Sequence, residues 1–144
     1  MLKGIDPVIS PDLLRALAQM GHGDEIAIVD ANFPSVSVAS QTVAGVALRV
    51  DCDAVRALKA VLSLLPVDDF EPDPVLTMQV VGDPDAIPPV IAEAMPVLAA
   101  HDLRPASLER FAFYERAKTA FVVLRCADTR PYGNFIIRKG IIAS

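Results

Sequence analysis

Two polar side chains stand at the two ends of one short apolar run, and their chemical types suit proton transfer. In MGHGDEIAIVDANFP, residues 20–34, His22 lies between two glycines and Asp30 ends the run. Imidazole is the side chain best suited to moving a proton near neutral pH, and glycine neighbours leave it unshielded. Each residue also has a structural explanation, because a turn histidine often bonds a backbone carbonyl and an aspartate after a strand often caps the next turn.

Two later segments carry side chains that suit a polar ligand. Arg110 opens RFAFYERAK and is expected at the end of a strand, where its fork of donors would suit paired hydroxyls or a carboxylate. In PYGN, residues 131–134, Tyr132 and Asn134 can donate and accept hydrogen bonds, and a tyrosine ring can stack on the apolar face of a sugar. Gly133 would permit an unusual turn. An ion-paired surface helix and a plain turn are the alternatives for these two segments.

The signatures of cofactor and metal chemistry are missing from the sequence. GHG does not complete a dinucleotide-binding GxGxxG pattern, and neither a P-loop nor a GxSxG elbow occurs. The two histidines, His22 and His101, have no ligand-like spacing with Cys52 or Cys126. We therefore expect a site without cofactor or metal, in which side-chain acids and bases act alone.

Composition indicates one apolar, acidic domain over residues 1–144. The apolar fraction is 53%, above the usual ~45–50%, which favours extra apolar surface hidden in an oligomer interface. A net charge of −5 argues against a nucleic acid partner. No apolar run approaches the ~20 residues that span a bilayer, and the first residues lack the core of a signal peptide. The two cysteines form no CxxC pair, and we expect a cytoplasmic protein.

The elements that must position these side chains alternate between helix and strand. Apolar spacing predicts helices over 9–21, 53–66, 83–101 and about 112–120, and strands over 25–31, 42–51, 75–82, 121–128 and 133–142. The segment from residue 106 to the start of the last helix is expected to be extended. This alternation predicts a sheet covered by helices, an α/β sandwich. The last two strands have no helix between them, which favours antiparallel pairing in that part of the sheet.

The predicted strand after His22 separates it from Asp30. Eight residues at ~3.3 Å each span about 26 Å when extended. If both side chains serve one pocket, either the loop before the strand curls back or a second subunit supplies one of them.

Three segments together are specific enough to indicate a family. MLKGIDPVISPDLLRALAQMGHGDEIAIVDANFP, RFAFYERAKTAF and PYGNFIIRKG resemble the RbsD/FucU family of sugar mutarotases, and most closely its L-fucose branch. The resemblance implies a three-layer αβα sandwich with a Rossmann-like mixed, mostly parallel sheet. It also implies homo-oligomeric rings, commonly decamers, with a monosaccharide site where neighbouring subunits meet and an isomerase activity that needs no cofactor.

The resemblance carries roles onto individual residues. It implies that His22 is catalytic and that the sugar is bound by Asp30, Arg110, Tyr132, Gly133 and Asn134. The ribose branch carries histidine in place of Arg110 and more often alanine in place of Gly133, so these two residues favour the fucose branch. The expected reaction is exchange of the α and β anomers of L-fucose by acid–base ring opening. The alternatives are pyranose–furanose exchange of D-ribose and a non-catalytic sugar-binding module.

Overall fold

One mixed sheet of six strands forms the middle layer of the molecule, and the computed structural model describes residues 1–144. The strands are β1 (Glu25–Val29), β2 (Ala47–Arg49), β3 (Val75–Met78), β4 (Ala106–Leu108), β5 (Val122–Arg125) and β6 (Phe135–Arg138). The helices are α1 (Pro11–Gln19), α2 (Ser35–Ala39), α3 (Ala54–Leu62), α4 (Pro89–Ala99) and α5 (Arg110–Lys118). None of these helices is long and apolar enough to cross a bilayer.

The strand order is β2-β5-β1-β6-β3-β4, and five strands run in one direction. β1 pairs with β5, β5 with β2, and β3 with β4 in parallel, whereas β6 pairs antiparallel with both β1 and β3. The predicted mixed, mostly parallel α/β fold is therefore confirmed. The last two strands do not pair with each other, however, because β6 enters the sheet on the far side of β1 from β5.

Two apolar cores lie on the two faces of the sheet and give the fold three layers. Ile26 and Ile28 point into the larger core with α1, α3 and α4, while Ala27 and Val29 point into the smaller core with α2 and α5. All five residues of β1 are buried. A central strand covered on both faces needs apolar side chains on both of them, which explains the uninterrupted apolar run from Ile26 to Val29.

Residues near the helix ends explain where α1 and α4 begin. Ser10 accepts a hydrogen bond from the Leu13 amide and caps α1 as its sequence predicts. The helix predicted from residue 83 begins at Pro89 instead. Residues directly before a proline avoid the helical conformation, and both residue 87 and residue 88 stand in that position. The short helix α2 was not predicted from the sequence.

The direction of the strands defines two edges of the sheet. We call the edge where the five parallel strands end the carboxyl edge, and the opposite one the amino edge. Because β6 runs the other way, its first residue, Phe135, lies at the carboxyl edge and its last, Arg138, lies at the amino edge. The segments on either side of β6 therefore reach both ends of the sheet.

A close backbone contact at the amino edge gives a testable prediction for stability. A Cβ atom on Gly140 would lie 2.8 Å from both the Asp68 Cα and the Val67 carbonyl oxygen. We expect Gly140→Ala to lower the free energy of unfolding by about 1–3 kcal/mol, because the backbone must move apart. Gly21→Ala is the control, since its nearest neighbour is a flexible carboxylate at 3.6 Å. Thermal unfolding measures both variants, and equal effects would contradict the steric explanation.

Candidate active site

His22 lies at the amino edge, in a turn fixed on both sides. The Asp24 carboxylate accepts a hydrogen bond of 2.7 Å from the Gly21 amide. The Gly23 amide donates to the Lys139 carbonyl at 2.9 Å, and Gly23 has a φ of +88°, which glycine adopts without strain. The His22 side chain remains 40% exposed. The turn therefore presents an accessible imidazole on a fixed backbone.

A buried carboxylate holds the inner nitrogen of this imidazole. His22 Nε2 lies 2.9 Å from Oδ1 of Asp68, whose side chain is only 2% exposed. Arg138 Nε donates to Asp68 Oδ2 at 2.7 Å, and the Phe70 amide donates to Oδ1 at 3.1 Å. The Arg138 guanidinium, and after it the His22 ring, hold the pKa of the Asp68 carboxyl well below its usual range. Asp68 is therefore an ionised acceptor at neutral pH.

A cleft of about 430 Å³ opens beside the ring. Its lining comprises His22, Gly23, Asp68, Phe70, Glu71, Arg116 and Arg138. The Phe70 ring meets the imidazole edge-on with 4.7 Å between ring centroids. Arg116 is paired with Glu25 through contacts of 2.7 and 2.8 Å. A solvent-facing imidazole with a carboxylate behind it is an arrangement that can transfer a proton.

Asp30 lies at the carboxyl edge, directly after β1. Its Oδ1 accepts from the Asn32 amide at 2.9 Å and from the Phe33 amide at 3.0 Å, and its Oδ2 accepts from the Gly133 amide at 3.1 Å. Asp30 thus caps the turn, as one of the two interpretations expected. A carboxylate has about four acceptor positions, so one remains on Oδ2. Burial raises the pKa of Asp30 against the effect of these three donors.

The PYGN segment folds against Asp30, but its glycine is not the residue that adopts the unusual backbone conformation. Tyr132, and not Gly133, adopts the left-handed conformation, with a φ of +63°. A Cβ atom on Gly133 would lie 3.4 Å from side-chain atoms of Ala54 and Val90, at the limit of ordinary van der Waals contact, so little space is left around this residue. Asn134 Oδ1 accepts a hydrogen bond of 3.0 Å from the Asp30 amide.

Tyr132 also reaches across the carboxyl edge toward the segment after β3. Its hydroxyl accepts a hydrogen bond of 3.1 Å from the Val81 amide, and the side chain is half-buried. That bond leaves the hydroxyl hydrogen available for another acceptor. The ring packs against the smaller apolar core.

Arg110 is the first residue of α5 and does not end a strand, which corrects the prediction. The Glu109 carboxylate forms the helix cap by accepting from the Phe111 and Ala112 amides. The Arg110 guanidinium carbon lies 4.5 Å from the centre of the Phe111 ring. Its Nε is buried and has no hydrogen-bond partner. Such a donor is costly to leave unpaired, so it is suited to an acceptor on a ligand.

The predicted site residues fall into two groups at opposite edges of the sheet. His22 is held at the amino edge by Asp68, while Asp30, Arg110, Tyr132, Gly133 and Asn134 lie at the carboxyl edge. The loop before β1 does not curl back, because Asp68 and the residue 139 carbonyl hold it in place. One chain therefore does not bring the two groups together.

Sequence reasoning missed Asp68, Arg138, Asp128 and Arg130. Asp68 belongs to the acidic segment VDDFEPDP, which has the composition of a solvated loop, and its partner Arg138 is 70 residues away. Asp128 could have been found, because it follows β5 at the carboxyl edge, where functional groups gather in α/β sheets.

Comparison with known proteins confirms the resemblance seen in the sequence motifs. The profile of the RbsD / FucU transport protein family matches residues 3–142. The fucose mutarotase of Homo sapiens is 43% identical over 148 residues, which cover 99% of this chain and 95% of that protein. The crystal structure of the fucose mutarotase from Streptococcus pneumoniae in complex with L-fucose is 35% identical with a TM-score of 0.85, over 99% and 100% of the two chains.

A more distant likeness concerns the fold alone. Bacillus subtilis RbsD complexed with D-ribose is 19% identical, with a TM-score of 0.65, and the match covers 99% of this chain and 100% of that one.

The ion pair of Asp128 and Arg130, directly before the PYGN segment in the chain, gives a prediction for pH dependence. Asp128 accepts from Arg130 and from the Ala54 amide, and the Arg130 guanidinium lowers the pKa of Asp128 from 3.8 to about 2. A carboxylate whose pKa is depressed on folding stabilises the fold above pH ~4, and this contribution disappears as the pH falls to about 2. We expect Asp128→Asn to lower the free energy of unfolding at pH 7 by about 2 kcal/mol.

The deficit of Asp128→Asn should shrink between pH 4 and pH 2, as followed by denaturant unfolding. Asp51→Asn is the matched control, because the Asp51 side chain is 92% exposed. A deficit of Asp128→Asn that stays constant down to pH 2 would show that the carboxylate charge is not its cause.

Proposed function

Because the chain belongs to the RbsD / FucU family, we propose that it is a mutarotase that interconverts the α and β anomers of L-fucose or a closely related monosaccharide. One observation carries the proposal. An accessible His22 imidazole, held by the buried Asp68 carboxylate, stands in a chain whose relatives over its full length include fucose mutarotases.

Mutarotation requires little more than a well-placed acid and base. The proton leaves the anomeric hydroxyl, the carbonyl forms at the anomeric carbon, its bond to the ring oxygen breaks, and that oxygen takes up a proton. Rotation of the free aldehyde and the reverse steps give the other anomer. His22 takes the first proton and returns it to the ring oxygen. A positioned general acid–base contributes ~10²–10⁴-fold.

The carboxyl edge offers complementary hydrogen-bonding groups for the sugar. Asp30 has an acceptor position left on Oδ2, and the buried Arg110 Nε is a donor without an acceptor. A sugar hydroxyl both donates and accepts, so adjacent hydroxyls can satisfy both side chains. Tyr132 and Asn134 complete this half of the pocket, and the Gly133 amide holds the PYGN segment against Asp30.

A second copy of the chain completes the site in this proposal. The amino edge of one subunit supplies His22, and the carboxyl edge of the next supplies the sugar-binding side chains. Each edge carries an exposed aromatic side chain beside its site residues: Phe70 is 65% exposed and Phe111 is 60% exposed. Contact between two different edges is heterologous and closes into a ring when the rotation allows, as in the decamers that the family resemblance implies.

Two alternative functions predict different experimental results from those expected for a fucose mutarotase. Pyranose–furanose exchange of D-ribose uses the same acid–base chemistry, and Arg110 and Gly133 favour fucose over it. A non-catalytic sugar-binding module is the alternative from another class, and the description of the family as transport proteins favours it.

The central experiment follows anomer exchange by magnetisation-transfer NMR. Added protein should accelerate exchange of L-fucose anomers more than those of D-ribose or D-galactose. His22→Ala should lower the acceleration by ~10²–10⁴-fold, because the proton-transferring group is lost. The control is His101→Ala, which removes the other histidine, an exposed one in the turn after α4. Saturable fucose binding with unchanged exchange would instead support the sugar-binding module, and faster exchange of ribose would support the second alternative.

Mixing of two inactive variants tests the shared site. His22→Ala and Arg110→Ala each remove a side chain from one half of the proposed site. His22 is exposed and Arg110 is only partly buried, so both variants should fold. When the two are co-expressed in equal amounts, about a quarter of the sites at a heterologous interface combine two intact halves and should regain activity. If both halves came from one chain, mixing would restore no activity.

A further inference from the structure

We propose that Arg130, locked onto Asp128, is a positioning residue for the sugar-binding half of the site, since it holds Tyr132 in the conformation that keeps its ring and hydroxyl at the carboxyl edge. We call residues 128–134 the binding turn. The conformation of this turn follows from contacts within the chain. Only the consequence for sugar affinity rests on the proposed function.

The binding turn begins at a residue that two other segments of the chain hold in place. The Asp128 side chain is only 3% exposed. Its carbonyl oxygen accepts a hydrogen bond of 2.8 Å from the Ala31 amide, directly after Asp30. Its Oδ2 accepts one of 3.0 Å from the Ala54 amide at the start of α3. Asp128 is therefore attached both to the segment after β1 and to a helix of the larger core.

The Arg130 guanidinium closes the first part of the turn onto this carboxylate. Nε donates to Asp128 Oδ1 at 3.0 Å and Nη2 donates to Oδ2 at 2.9 Å, while the Arg130 amide donates to Oδ1 at 3.0 Å. Nη1 donates to the Glu93 carboxylate on α4. A guanidinium holds these donors in one plane with fixed geometry, which a lysine ammonium does not reproduce. Arg130 thus ties the turn to a helix beside it.

Only Pro131 separates the anchored Arg130 from Tyr132. The proline ring fixes its own φ and restricts the residue before it to extended conformations. On the other side of Tyr132, the Gly133 amide donates to Asp30 Oδ2 at 3.1 Å. Between these two held ends Tyr132 has a φ of +63°, which a bulky residue keeps only where its surroundings determine it. Loss of the Arg130 anchor should therefore let Tyr132 return to a negative φ and move its ring.

The far end of the Tyr132 side chain has weaker support. Its hydroxyl accepts a hydrogen bond of 3.1 Å from the amide of Val81, a residue that is 57% exposed. Water can replace such a bond at little cost, so this contact does not hold the backbone by itself. The anchor at Arg130 is the stronger constraint on the turn.

Arg130→Met is the informative variant, because it removes the guanidinium and keeps an unbranched side chain. Arg130→Lys keeps the charge without the planar donors and should have a smaller effect of the same kind. Arg56→Met is the matched control. The Arg56 side chain is 38% exposed, as is that of Arg130, and it also donates through two nitrogens to one carboxylate, that of Asp6, outside the site.

The first readout is the Tyr132 backbone in crystal structures of the parent protein and the three variants without sugar. We expect a positive φ in the parent protein and in Arg56→Met, and a negative φ with a displaced ring in Arg130→Met. A parent structure without the contact of Arg130 to Asp128 would overturn the proposal, and so would an unchanged Tyr132 in Arg130→Met. If Arg130→Met does not fold, an unchanged Tyr132 in Arg130→Lys overturns it.

The second readout is the exchange of L-fucose anomers at several sugar concentrations. Arg130→Met should raise KM about 10-fold, as expected for the loss of one or two hydrogen bonds to the sugar. Its kcat should change little, because the turn binds the sugar and does not transfer the proton. Arg56→Met should keep both parent values, which separates positioning from a general loss of stability. An unchanged KM in folded Arg130→Met would overturn the role of Arg130 in sugar binding.

The two readouts distinguish this proposal from the proposed function. A displaced Tyr132 in Arg130→Met, with no acceleration of anomer exchange by the parent protein, would overturn the mutarotase activity and support the role of Arg130 in the turn. An unchanged Tyr132 in Arg130→Met, with an active parent protein, would support the activity and overturn the role of Arg130.

Discussion

The antiparallel strand β6 is the constraint on which the arrangement of the molecule depends. It lies between β1 and β3 in the sheet and pairs with both of them. The segment before it brings Gly133 and Asn134 to Asp30 at the carboxyl edge, and its last residue, Arg138, meets Asp68 behind His22 at the amino edge. Both groups of site residues are thus positioned from one strand, and a shift in its register would displace both.

Three buried carboxylates at the edges of the sheet are stabilised in different ways. Asp68 and Asp128 each face an arginine that lowers the carboxyl pKa. Asp30 has only backbone amides as partners, and burial raises its pKa despite them. A buried charge without a cation is costly unless hydrogen bonds replace the lost water. Asp30 is therefore the carboxylate that would gain most from further donors on a ligand.

The sequence predicted those features that depend on near neighbours. β1 was recognisable from its apolar run and α1 from its cap at Ser10, and both are confirmed because burial on two faces and capping act over a few residues. His22 and Asp30 stood out for the same reason, at the two ends of a recognisable strand.

What the sequence did not reveal depends on residues far apart in the chain. Arg138 and Asp68 are 70 positions apart, and neither has a local pattern that marks it as a partner of the other. The place of β6 in the sheet was missed because strand pairing is settled by packing across the whole sheet. The start of α5 at Arg110 was missed because Glu109 forms the cap with its own carboxylate, although glutamate is not among the preferred N-cap residues.

The proposed sharing of a site between subunits follows from the length of a buried strand. Five residues of β1 span ~17 Å, and with the turns on either side His22 and Asp30 stand farther apart than a monosaccharide can bridge. Shortening the strand would remove apolar side chains against which both layers of helices pack. A second subunit can bring the two groups together without a change in the fold, because the amino edge of one subunit then faces the carboxyl edge of the next. The same contact would cover Phe70 and Phe111, which a lone chain leaves in water.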